Sequence, residues 1–223
     1  MSQRILFVTG TDTNVGKTVF ASMLTRHLRD HGASVAALKP LCSGGRDDAK
    51  LLRVAAGNIL TLDEVNPWHF RVPIAPLLAA RNEGKRVELH DVTRHIRKFQ
   101  ERFETLIVEG AGGLLSPLGE QFDSRDCVLE LNAIPIVVCP NRLGAINQVL
   151  LVLEALPKRH AKNAQIVLMS PPKPTSPTRQ NFEALKEFVS HEQLHQFPWL
   201  KDVADYKNRL ARKAIDELLS AIR

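Results

Sequence analysis

The stretch VTGTDTNVGKTVF, Val8 to Phe20, decides how the rest of the chain is read. It overlaps a short apolar, β-rich run, Ile5 to Thr9, that ends at glycine. It leads into Lys17 to Arg29, where Phe20, Met23, Leu24 and Leu28 fall at helical spacing. Strand, glycine-bearing loop and helix in that order make an anion site. Backbone N–H groups at a helix N-terminus carry partial positive charge and bind phosphate oxygens. Gly16 lets the backbone approach closely, Lys17 brings a point charge to the outer phosphates, and Thr18 offers a hydroxyl to Mg²⁺. The standard loop has about four residues between its glycines, whereas five separate Gly10 from Gly16.

The chain has 223 residues, enough for one sizeable α/β domain and short for two. We therefore expect one domain over residues 1–223. Apolar residues make up 44% and aromatics only 5%, so Val, Leu, Ile and Ala carry the core. That composition suits a parallel sheet covered by helices. No apolar run approaches the ~20 residues of a membrane span. The stretch MSQRILFVTG has no basic region followed by a long apolar core, so no signal peptide is expected. Cys42, Cys127 and Cys139 are odd in number and widely spaced, matching neither a disulfide framework nor a zinc site; a reducing cytoplasm is the simplest home. The formal net charge is +6, but basic residues are dispersed apart from Lys158, Arg159, His160 and Lys162. Small anionic ligands are therefore favoured over nucleic acid, which needs a basic face interleaved with aromatics.

Further runs alternate. Val35 to Lys39, Leu106 to Val108, Ile134 to Val138 and Ile166 to Met169 read as strands. Asp47 to Ala56, Asp91 to Phe103, Asp126 to Leu131, Leu143 to Leu156, Asn181 to Val189 and Asp202 to Ile222 read as helices. Pro67 to Pro76 is proline-bounded and reads as partly loop; SPPKPTSP, Ser170 to Pro177, holds four prolines and reads as loop. Alternation implies right-handed crossovers, a mostly parallel sheet flanked by helices on both faces, and ligands at the carboxyl ends of the strands.

A phosphoryl-transfer site also needs carboxylates for a metal and a group that handles the second substrate. Glu109 directly follows an apolar strand and precedes Gly110, Gly112 and Gly113, a tight loop suited to a ligand rather than an ordinary strand-end surface. Asp47 and Asp48 open a helix; capping is the plain reading, and one of them can cap while the other meets the metal. Lys39 ends a buried strand before Pro40, with Ser43, Gly44 and Gly45 close behind, and either faces the ligand crevice or is simply solvated. Partitioning ATPases of related fold carry a further lysine five residues before the main one, where this chain has Asp12.

Four ordered stretches together resemble the dethiobiotin synthetase family. They are Gly10 to Thr18, Leu38-Lys39-Pro40 with Ser43-Gly44, Val108 to Leu114, and Leu143 to Asn147. Val65 to Phe70 and Phe197 to Leu200 are also similar, so the likeness spans roughly residues 4 to 205. The long loop is that family's version of the phosphate loop. The resemblance implies a P-loop NTPase-like fold. It also implies carboxylation and ring closure of 7,8-diaminopelargonate with CO₂, driven by ATP and Mg²⁺ through a carbamate and a carbamic-phosphoric anhydride, in a homodimer. By the same resemblance Lys39 is the principal catalytic lysine, joined by Lys17 and Thr13. Thr18, Asp48 and Glu109 hold Mg²⁺; Asp48 is chosen over Asp47 because Asp48-Ala49-Lys50-Leu51 fits the family pattern. Asn14, Val15, Gly16, Lys17, Thr18, Val19, Asp48, Glu109, Gly110, Ala111, Gly112, Pro198, Trp199 and Leu200 bind the nucleotide. Thr13, Lys39, Ser43, Leu143, Gly144 and Asn147 bind substrate, the last three from the other subunit through free N–H groups facing a carboxylate.

Departures from the family fall at Asn14, where a member can carry glutamate, at Leu77 and Gln148, where histidine is frequent, and at Met169-Ser170, around which an asparagine usually meets the nucleotide base. They read as tuning, because Lys17, Lys39, Asp48 and Glu109 remain. Competing readings are a related ATP-dependent synthase, for whose usual amidotransferase domain the chain has no room, and a nucleotide-binding module without turnover.

Overall fold

The computed structural model describes residues 3–201 and 205–222. In chain order its strands are β1 (Arg4–Gly10), β2 (Val35–Leu38), β3 (Leu41–Ser43), β4 (Trp68–Phe70), β5 (Thr105–Glu109), β6 (Pro117–Gly119), β7 (Phe122–Asp123), β8 (Ile134–Pro140), β9 (Gln165–Met169) and β10 (Leu194–Phe197). The helices are α1 (Lys17–Asp30), α2 (Asp47–Ala55), α3 (Leu62–Val65), α4 (Pro76–Asn82), α5 (Leu89–Arg97), α6 (Ser124–Glu130), α7 (Ala145–Ala155), α8 (Lys158–Asn163), α9 (Ser176–Leu185) and α10 (Arg209–Ala221).

Six strands form one parallel sheet in the order β10-β9-β8-β1-β5-β2. The strands that read as unbroken apolar runs sort residue by residue onto two faces, because side chains alternate across a strand. Ile5, Phe7, Leu106 and Val108 join the core under α5 and α6. Leu6, Val8, Ile107, Ile136 and Val138 join the core under α1 and α10. Burial on both faces is why these strands show no polar alternation.

β1 lies at the centre of the sheet, between β5 and β8. The chain first crosses outward from β1 to β2, later fills the gap with β5, and then builds β8, β9 and β10 on the other side. The crossovers therefore diverge around β1, and a crevice opens at the carboxyl ends of the central strands.

Boundaries differ from the sequence expectation where local bonding intervenes. The stretch expected as one helix to Phe103 is helical only to Arg97; it then tightens, with the amides of Phe99, Gln100 and Arg102 donating to carbonyls three residues back. The proline-rich run is not wholly loop. Its end starts α9, with proline in the first turn, where a missing N–H costs nothing. The closing helix begins at Arg209; residues 202–204 of the stretch expected to be helical lie outside the described residues. The short elements β3, α3, α4, α8 and β10 carry too few periodic residues to announce themselves. Among the described residues no helix is long and apolar enough to cross a membrane.

Candidate active site

The loop between β1 and α1 is shaped by two left-handed residues, Asn14 (φ 58°) and Gly16 (φ 99°). Asparagine is among the few non-glycine residues that tolerate this region. A Cβ on Gly10 would stand 2.6 Å from Val15 Cγ2, because Val15 is buried beneath the loop. The fifth residue of the long loop is thus absorbed by folding an apolar side chain inward. α1 opens at Gly16 with no side-chain cap, so its first N–H groups remain available to an anion.

Lys17 donates to the Asp12 carbonyl at 2.8 Å, which keeps its ammonium along the loop. It is buried, and burial with the nearby Lys39 charge brings its pKa down to about 8. Lys39, one residue past β2, is also buried. Its ammonium donates to Glu109 Oε1 at 2.6 Å and to the Gly110 carbonyl at 3.0 Å, and lies 3.4 Å from Asp48 Oδ2. Burial alone would lower its pKa, but the Glu109 and Asp48 carboxylates outweigh it and hold the group protonated above the ordinary lysine value. Thr18 Oγ1 donates to the same Glu109 Oε1 at 2.8 Å. Glu109 Oε2 is buried and has no protein partner.

These groups line a cavity of about 760 Å³ at the carboxyl ends of β1, β2 and β5. Of the residues expected from sequence, Thr13, Asn14, Gly16, Lys17, Thr18, Val19, Lys39, Ser43, Asp48, Glu109, Ala111 and Gly112 meet there. Val15 lies beneath the loop, and Gly110 receives Lys39 without lining this cavity.

Two expected groups stand apart. Pro198, Trp199 and Leu200 follow β10 at the same edge of the sheet; the Ser170 amide donates to Phe197 at 2.8 Å, and Leu200 packs on the core under α1. Leu143, Gly144 and Asn147 stand at the start of α7, outside the cavity, with Leu143 81% exposed. α7, like α1, opens at a left-handed glycine, Gly144, with no side-chain cap.

The structure adds residues that sequence reasoning did not single out. Cys42, Leu51, Ser116 and the Pro73–Pro76 segment also line the cavity. Ser43 Oγ donates to the Ile74 carbonyl, which ties that segment over the site. A proline on each side of Ile74-Ala75, just after a strand-like run, was the one available signal.

Comparisons with known proteins give the chain's family and its fold. A family model described as an AAA domain matches residues 4–207. ATP-dependent dethiobiotin synthetase BioD of Anaeromyxobacter dehalogenans is 38% identical over 206 residues, covering 90% of this chain and 92% of that protein. The protein of the same name from Bacillus subtilis is 38% identical over 156 residues, 68% of each chain. Among solved structures, a ParA family ATPase from Chlorobium tepidum superposes with a TM-score of 0.59 at 14% identity over 98% of both chains. A putative plasmid partition protein from Borrelia burgdorferi, bound to AMPPNP, gives 0.62 at 13% identity over 99% of this chain and 98% of that one. At such identities the solved structures show the fold alone.

Proposed function

The chain belongs to the ATP-dependent dethiobiotin synthetase family, and from that premise we propose that it carboxylates 7,8-diaminopelargonate with CO₂ and closes the ureido ring of dethiobiotin. It is an ATP-dependent ligase of biotin biosynthesis. The observation that carries the finer reading is the cluster of Lys17, Lys39, Asp48 and Glu109 around one cavity.

A substrate amine attacks CO₂, forming a C–N bond and releasing a proton; the product is an anionic carbamate. A carbamate oxygen attacks the γ-phosphorus of ATP, and the bond to the ADP oxygen breaks. The neighbouring amine then attacks the carbamoyl carbon of the mixed anhydride, expelling phosphate, losing a proton and closing the five-membered ring. Two anions must meet in the second step, so concentrated positive charge is the main requirement. Lys39, held protonated between Glu109 and Asp48, stabilises the carbamate and the transferring phosphoryl group. Lys17 serves the outer phosphates from the start of α1, and Thr13 and Ser43 orient substrate. Fixing the reactants in line supplies much of the remaining acceleration.

The residues fit Mg²⁺. Thr18, Asp48 and Glu109 are hard oxygen donors at the cavity, and Glu109 Oε2 is a buried acceptor in want of a partner. A few protein oxygens completed by substrate phosphates and water are how this ion is commonly held. When bound, it neutralises charge on the phosphates.

The departure of Leu143, Gly144 and Asn147 from the cavity supports a homodimer in which α7 of one subunit receives the carboxylate tail of substrate seated in the other. Phosphate release from ATP, with Mg²⁺ and bicarbonate, measured with and without the diamine and paired with mass detection of dethiobiotin, tests the whole reading. Nucleotide binding with no diamine-dependent turnover would leave a binding module in its place.

A further inference from the structure

Lys39 lies just beyond the end of β2, where the ladder to β5 has stopped at Leu38. Its amide donates to the Val65 carbonyl at 2.9 Å. Its own carbonyl has no strand partner, and the next residue, Pro40, has no N–H with which to continue a ladder. That carbonyl is satisfied by a side chain: Asn66 Nδ2 donates to it at 2.7 Å. Asn66 is fully buried. Its Oδ1 accepts from Arg46 Nε and from Cys42 Sγ, each at 3.1 Å. Arg46 in turn donates to the Leu62 and Asn66 carbonyls at 2.8 Å and meets Asp63 at 2.7 Å. One side-chain amide thus ties both ends of the stretch from Lys39 to Arg46, which carries Ser43 and leads directly into Asp48. The middle of the stretch is held by the β3 pairing with β4 and by the Gly44 amide donating to the Phe70 carbonyl; Asn66 adds the ties at its two ends.

We propose that Asn66 is a positioning residue for the phosphoryl-transfer site: its side-chain amide sets the Lys39 backbone, and with Arg46 it sets the Asp48 end of the same loop. The claim rests on the reading that Lys39 handles the carbamate and the transferring phosphate. Asn66 touches neither reactant. It acts by holding the ammonium against Glu109, where a displacement of about 1 Å is enough to cost roughly a hundredfold in rate.

Asn66→Asp is the decisive variant. It is nearly isosteric, keeps an acceptor for Arg46 and Cys42, and removes the donor to the Lys39 carbonyl. The expected result is a ten- to hundredfold lower kcat with the affinity for a non-hydrolysable ATP analogue close to that of the unsubstituted protein; the melting temperature falls in any case, because a buried carbonyl loses its donor and a carboxylate is buried in its place. A purely structural role would lower nucleotide affinity along with kcat, and that result, or a kcat within twofold, would overturn the proposal. A nitrogen-edited NMR spectrum of the lysine ammonium groups gives a readout independent of turnover. The Lys39 signal, protected by Glu109 and the Gly110 carbonyl, should be resolved in the unsubstituted protein and broadened by exchange in the variant; an unchanged signal also counts against the role. If the unsubstituted protein shows no diamine-dependent turnover, the functional reading fails while the NMR comparison still decides the positioning. If Asn66→Asp does not fold, Arg46→Gln frees the amide from its other side. It is expected to lower kcat three- to tenfold with nucleotide affinity unchanged, and equal losses of both would reject the proposal.

Discussion

Glu109 and Lys39 are a buried ion pair, and much of the site's behaviour follows from that. Two charges withdrawn from water are tolerable together and costly apart: removing one partner of such a pair typically destabilises by about 3–5 kcal/mol. Lys39→Met should therefore lower stability by roughly that amount in urea unfolding, and adding Glu109→Gln should restore most of it, because the remaining group is then neutral. Both proteins should be inactive. A single variant as stable as the parent would mean the pair is not desolvated. Lys39→Ala should cut turnover by orders of magnitude; near-normal activity would remove Lys39 from the mechanism. Lys17 gives a pH signature. With its pKa brought down to about 8, it loses its proton above that value, while phosphate prefers the ammonium form. Nucleotide affinity should fall as pH rises through 8, and binding above that pH should take up a proton. Calorimetry in two buffers of different ionisation enthalpy measures the uptake, and identical apparent enthalpies at pH 9 would contradict it. Lys17, Thr18 and Glu109 could be singled out in sequence because each stands at a strand or loop junction that has a reason to face ligand, whereas position alone left Lys39 open between the crevice and solvent. Asn66 and Cys42 could not be, because their contacts arise only when distant loops meet.

At the scale of elements, α1 and α7 share one device, a left-handed glycine followed by an uncapped helix start. Their surroundings separate them. A Cβ on Gly16 would stand 2.9 Å from Met169 Cε, whereas one on Gly144 meets nothing within 4 Å. Gly144→Ala should cost only the conformational strain, about 1–2 kcal/mol. If α7 receives the substrate carboxylate, it should raise the KM for the diamine and leave nucleotide affinity alone. Gly16→Ala carries the same strain, adds a crowding that the flexible end of Met169 can relieve, and should weaken nucleotide binding first because it lies in the phosphate loop itself. The reverse pattern, read by titration with each ligand, would exchange the roles of the two helices. The alternation of strands with long helices was readable because burial on both faces leaves apolar runs. The ends of α5 and α9 were not, since tightened turns and a proline in a first turn are local bonding choices that periodicity does not record.

For the whole molecule, Leu151 is 61% exposed and Leu115 52% exposed, and both line another cavity of about 470 Å³ that also touches Thr11 and Asp12 of the phosphate loop. Leu143 at the head of α7 is more exposed still. Apolar side chains left out beside a functional loop fit an interface. Light scattering should find a homodimer, and Leu151→Asp should shift it toward monomer with a matching loss of turnover; a monomer with full activity would sink the shared site. The pattern of residues alone determined the parallel α/β architecture, the phosphate loop and its place before α1, and the family whose motifs recur in order, because each of these is written in spacing along the chain. Tertiary structure decided that Lys39, Asp48, Thr18 and Glu109 converge on one cavity, that Asn66 ties the stretch that begins at Lys39 and leads into Asp48, and that the start of α7 lies outside the cavity. The convergence depends on β5 inserting between β1 and β2, and a strand order is set by how the crossovers pack, which no local stretch of sequence contains.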